Sequence, residues 1–154
     1  MSAAAVQFYD VVLWVHIVAF FIAFGPIYAY GLFFAMAAKA GPAAMAQTGR
    51  AVKTWDTIAG GIGAVIILAS GIYLTADRWE FSDFFISWGL IVVILILGLT
   101  HGFFLPRTQK VIDLLDAGRE EEARAEGETI GKAGALLGVA VILTIYVMTA
   151  KPFL

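Results

Sequence analysis

The chain has 154 residues, 61% of them hydrophobic and only 14% charged, with a mean hydropathy of +0.89. Soluble domains are roughly 45–50% apolar and about 25% charged, so both departures point to a membrane protein. A net charge of −2 gives no basis for nucleic-acid binding, and the lack of cysteine excludes disulfides, thiolate metal sites and cysteine nucleophiles.

Four uncharged runs organise the chain: Val11–Ala38, Thr57–Ala76, Phe84–Pro106 and Ala133–Ala150. At about 1.5 Å rise per residue each can cross most of a hydrocarbon core roughly 30 Å thick. The expected fold is all-α, a four-transmembrane-helix up-and-down bundle in a single domain over residues 1–154. Its helices fall at about 8–38, 55–76, 83–106 and 131–150. The segment MSAAAVQFYD carries no positive residue, so the first run reads as a membrane helix and not as a cleavable signal.

The first helix contains Gly25-Pro26, and Pro26 removes a backbone donor and crowds the Ile22 carbonyl, so a bend is expected there. Helix two is expected to start at Trp55-Asp56-Thr57, with polar groups capping its first turn. It is rich in small residues, among them Gly60, Gly61, Gly63, Ala64, Ser70 and Gly71. A tight turn, ADRWEFSD, leads to Ser82-Asp83 as an N-cap for helix three. Helix three carries Gly98-xxx-Gly102 and helix four Gly134-xxx-Gly138, spacings that let helix backbones approach within the bundle or across a dimer. Between them, Gln109–Leu115 reads either as an extension of helix three or as a short cytoplasmic amphipathic segment on the membrane surface. DAGREEEARAEGETIGK reads as a solvated connector or as a docking surface for a partner.

Lysine and arginine set the expected orientation. Lys39, Arg50 and Lys53 lie between runs one and two, and Arg107, Lys110, Arg119, Arg124 and Lys132 between runs three and four. Only Arg78 and Lys151 lie on the other side, so both termini are expected outside and both long connections in the cytoplasm. Trp14, Trp79 and Trp88 then sit near the outer boundary and Trp55 near the inner one, as an aromatic belt requires.

No Asp, Glu, Lys or Arg lies inside the runs, which disfavours ion-coupled transport and voltage sensing. No HExxH, nucleophile elbow or phosphate-binding glycine loop occurs, so the chain carries no recognisable catalytic machinery. The residue with chemical potential is His16, on a helical face with Val12, Ala19, Ala23, Ile27 and Tyr30. The two alanines leave room beside the imidazole for a neighbouring helix or a flat ligand. His16 therefore reads as an interhelical hydrogen-bonding residue or as a haem or metal ligand. Ser70, Tyr73 and Tyr146 are the candidates to hold its second nitrogen. His101, near the inner end of helix three, reads as interfacial; a depth difference of about 18 Å keeps it from sharing one iron with His16.

With these residues in view, the chain resembles a family of small bacterial four-helix integral membrane proteins of unknown function. The resemblance rests on Leu13-x-x-His16-Ile17 followed by Gly25-Pro26, on Leu105-Pro106-Arg107, and on Met148-x-x-Lys151-Pro152. It is more distantly similar to the copper-resistance D-type proteins and to the HemJ-type protoporphyrinogen oxidases. In the oxidases a helix-one histidine is linked to haem, which implies His16 here. They also use a lysine on a later membrane helix, and no span of this chain carries one. The expected function is that of an accessory or structural subunit of the bacterial cytoplasmic membrane, with the lipid bilayer and other membrane subunits, or further copies of the chain, as partners. The alternative is a haem- or metal-binding membrane protein using His16.

Overall fold

A computed structural model describes residues 7–152. All the regular structure among them is helical. Four long helices, α1 (Phe8–Ala40), α2 (Pro42–Arg78), α3 (Phe84–Asp116) and α4 (Glu120–Ala150), are each long and apolar enough to cross a membrane. Only 17–28% of each helix's most apolar window is buried within the chain. The exterior is accordingly a belt of large apolar side chains, with Phe21 73% and Leu136 74% exposed. A soluble chain does not leave such a surface to water; it suits lipid or other apolar partners.

The polar stretches are helical, which corrects the expected boundaries. Lys39–Asp56 is not a long connection: Gly41 alone separates α1 from α2, at φ 108°, with Pro42 starting the new helix. Helix two thus begins at Pro42, and Asp56 lies in its interior instead of capping it. Gln109–Leu115 continues α3 without a separate surface helix, and most of the expected connector after it is the first part of α4. The turn there is short, with Gly118 at φ 72°. The physical reason is a buried face on each segment. Ala46 and Gly49 of α2, Val111 and Ile112 of α3 and Ala123 of α4 are buried, Gly49 against Ile112 and Val111 in one cluster with Ala123. At the other end, Asp83 is the N-cap residue of α3 by backbone, but its carboxylate turns back to accept the Glu80 N–H at 3.0 Å.

Short turns make successive helices antiparallel. α1 packs along α2, the inner half of α2 on that of α3, and α3 on α4. The ring closes where the Tyr28 hydroxyl donates to the Gly138 carbonyl at 2.9 Å. "Inner" denotes the half holding the eight clustered cations. The outer half has its own core, centred on Ala23, Phe24, Ile67, Val93, Ile96 and Val141.

The close glycine contacts are not those of the expected motifs, apart from Gly138. A Cβ at Gly98, Gly102 or Gly134 would meet nothing within 4 Å, so these three make no close packing contact inside the chain, whereas one at Gly138 would stand 3.5 Å from the Tyr28 ring. Between α1 and α2 the tight position is Gly63, where an added Cβ would stand 2.7 Å from the Ala23 Cβ; one at Gly89 of α3 would press on the flexible end of Met148 of α4.

Regular helical bonding is interrupted three times: at Gly25–Pro26 in α1, and in π-turns at Asp56–Gly60 of α2 and Thr100–Phe104 of α3. The contacts Tyr30–Asp56 and Lys53–Gln109 bring these interruptions to about one level, where the apolar half gives way to the polar half. An extra residue in a turn re-aims the helix face that follows it, and such bulges recur at functional positions.

Candidate functional site

Small residues on α2 decide what stands beside His16. Gly63 admits Ala23, and a Cβ at Gly71 would lie 3.3 Å from the His16 Cε1, so the imidazole rests against the α2 backbone. The room left by Ala19 and Ala23 is taken by the neighbouring helix.

His16 Nδ1 and Ser70 Oγ are 2.8 Å apart, joining α1 to α2. The direction of this bond follows from the hydroxyl's single proton. Ser70 Oγ lies 2.5 Å from the Ile66 carbonyl and 3.2 Å from that of Ile67, and a carbonyl only accepts. The serine proton goes back to α2, so Oγ accepts from Nδ1–H. Nδ1 therefore carries a proton, and the imidazole also lies within bonding reach of the Ile67 backbone carbonyl. The other two candidate partners are elsewhere: Tyr73 meets Phe8 edge to face at 5.3 Å, and Tyr146 is 61% exposed.

His101 is exposed and bonded within its own helix, its Nδ1 donating to the Leu97 carbonyl at 3.1 Å beside the π-turn. The two histidines share no partner. Among the described residues, no three His, Asp or Glu side chains gather as a metal site would require.

Sequence reasoning missed a second polar pair. The Tyr30 hydroxyl donates to Asp56 Oδ1 at 2.6 Å, tying α1 to the π-turn of α2. The signal was present, since Tyr30 shares the His16 face and Asp56 directly precedes the second apolar run, but reading Asp56 as a cap hid it. Two more bonds complete the set: Tyr28 to the Gly138 carbonyl, and Trp88 Nε1 to Thr144 Oγ1 at 3.1 Å. Together the four join α1 to α2 twice, α1 to α4 and α3 to α4. Each links helices instead of lining an open cavity.

At the outer end the two remaining cations lie over aromatic rings. Arg78 stands 3.9 Å from the Tyr9 centroid and Lys151 3.8 Å from that of Trp79. Comparison with known protein families gives no match, and no similar curated protein or solved structure is found either.

Proposed function

We propose that the chain is a multi-pass protein of the bacterial cytoplasmic membrane, both termini outside, acting as an accessory or structural subunit for other membrane proteins or further copies of itself. One observation carries this reading: four polar side-chain bonds tie the helices together along the apolar half, while the outward face is largely apolar. A bundle so arranged offers a rigid, greasy surface to neighbours in the bilayer. The eight-to-two split of Lys and Arg supports the orientation.

The native chain has no cysteine, so single-cysteine labelling tests the topology cleanly. Ala117→Cys should resist a membrane-impermeant reagent in intact cells and Ser82→Cys should react; the reverse pattern overturns the orientation. Mild-detergent purification tests the subunit reading. Co-elution with defined membrane proteins, or a stable oligomer, supports it; a solitary monomer argues against it.

A specific observation favours a second reading, a haem- or metal-binding protein. Ligating histidines donate the N–H of their other ring nitrogen to a neighbour, and Ser70 accepts from Nδ1–H in that way, so Nε2 would be the atom that binds. His16 would be the axial ligand, and the bound group would supply the redox or Lewis-acid chemistry. A Soret band or stoichiometric metal in purified protein, lost in His16→Ala and kept in His101→Ala, establishes it. If colourless, metal-free protein is obtained even with haem supplementation and His16→Gln folds normally, His16 is an interhelical bond alone.

A further inference from the structure

Between the inner halves of α2 and α3 lies an open cleft of about 490 Å³. Arg50, Lys53, Thr54 and Thr57 of α2 and Gln109 of α3 form its polar wall, over the apolar side chains of Ile58 and Ile112. Lys53 is half-buried there and has no carboxylate partner among the described residues. Its ammonium donates to Gln109 Oε1 at 2.5 Å, and Gln109 is held in that orientation because its Nε2 donates to Asp113 at 2.7 Å. An ammonium has three donors, and a neutral amide takes only one of them. Arg50 joins Asp116 at the exposed end, so no carboxylate lines the cleft itself.

A smaller cleft of about 330 Å³ between α3 and α4 shows the contrast. It also holds two cations, Arg107 and Lys110, but Glu126 lines it and pairs with both. Of these two clefts, the first alone holds a cation, Lys53, without a carboxylate partner among the described residues.

Its position adds a second constraint. Thr57 and Ile58 open the apolar run of α2, and Ile62 and Val65 follow outward, 59% and 67% exposed. Cation, hydroxyl and apolar strip therefore come in the order of a phospholipid's phosphate, glycerol region and acyl chains. Basic pockets between helices on the cytoplasmic side are suited to such headgroups.

We infer that this cleft binds the phosphate of an anionic phospholipid, with Lys53 as the principal contact, Arg50 at the rim and the chains along Ile58, Ile62 and Val65. The inference rests on the membrane reading above, so the experiment separates the two. Carbonate extraction comes first: release of the protein into the soluble fraction overturns the membrane reading and this inference with it. For membrane-integrated protein, delipidated in detergent, phosphatidylglycerol should raise the melting temperature and appear as a retained adduct in native mass spectra, while phosphatidylcholine does neither. Lys53→Gln should lower phosphatidylglycerol retention roughly fivefold, the weight of one cation near a membrane surface. Lys53→Arg should restore it, and Lys110→Gln should match wild type. Should Lys53→Gln lose helical content, Thr57→Phe, which narrows the cleft and leaves every charge in place, should give the same loss of retention. Equal response to phosphatidylcholine, equal loss in Lys110→Gln, or equal protection by inorganic phosphate alone overturns the inference; the last result assigns the cleft to a small phosphate.

Discussion

In the outer half, α1 lies so close to α2 that a methyl added at Gly63 would stand 2.7 Å from the Ala23 Cβ, and the cations at that end lie over aromatic rings. In the inner half the helices are joined by side chains of opposite charge. Arg50 reaches Asp116 at 2.5 Å and Arg107 reaches Glu126 at 2.7 Å, over a small aliphatic cluster of Val111, Leu114 and Ala123. The difference fits the surroundings that the proposed membrane setting gives each half. Between apolar helices in lipid there is no hydrophobic drive, so association depends on close backbone approach and a few hydrogen bonds. Where water returns, burying Val and Leu is favourable again, and exposed ion pairs add modest specificity.

The largest expected effect tests the close approach. Gly63→Leu places a bulky side chain against Ala23 and should destabilise the bundle by about 1–3 kcal/mol, the usual range for overpacking. Gly98→Leu, with nothing within 4 Å, should stay within about 0.5 kcal/mol of wild type. Reversible unfolding in mixed micelles measures both. A large loss at Gly98 would mean that its face is covered by another chain, which would relocate the contact surface from α1/α2 to the outside of α3.

The hydrogen bonds come next. Ser70→Ala removes the acceptor of His16 Nδ1–H, and an interhelical bond of this kind is worth about 0.6 kcal/mol, rarely above ~1.7. A double-mutant cycle with His16→Gln isolates the term. Coupling near zero would mean that the Gly71 contact alone positions the imidazole.

How much of this could be read from the residues differs between the halves for the same physical reason. The apolar runs announce four helices, because a continuous apolar run of this length satisfies its own backbone in lipid only as a helix, whereas barrel strands are shorter and alternate. His16 was legible as the chemical outlier, and Ser70 was one of three partners offered for it. The inner half was not legible as structure. Alanine, glutamate, lysine and scattered glycine suit a solvated linker as well as a helix until the partner face is known, and that face consists of small residues such as Ala46, Gly49 and Ala123. The Gly98 and Gly134 spacings left bundle packing and an outside contact both open, because a repeat of four places glycines on one face without saying whether the face points in or out. Asp56 was concealed by its position: it reads as a cap for a helix whose first residue is Pro42.

The smallest expected effect concerns charge, and it separates the halves by solvent conditions. Glu126 accepts from both Lys110 and Arg107, and the Lys110 hydrogen bond, with the two nearby positive charges, holds its carboxyl below the usual glutamate range. A depressed folded-state pKa gives a contribution that is full above the unfolded value of about 4.3 and is lost as pH falls through the folded value. The contribution of the α3–α4 ion pairs should therefore persist from neutral pH down to about pH 4.3 and fade below it. It should also weaken with added salt, since the groups are solvent-accessible and screening lengths shorten to about 3 Å at 1 M. Glu126→Gln should abolish both dependences while leaving the His16–Ser70 coupling of the outer half unchanged. Site-specific hydrogen exchange at Leu114 and Ala123, compared with Ile67 and Val141, reads the two halves separately. Salt-sensitive protection confined to the inner pair supports the division; equal salt sensitivity in both pairs would show that the halves unfold as one unit and that the contrast is geometric only.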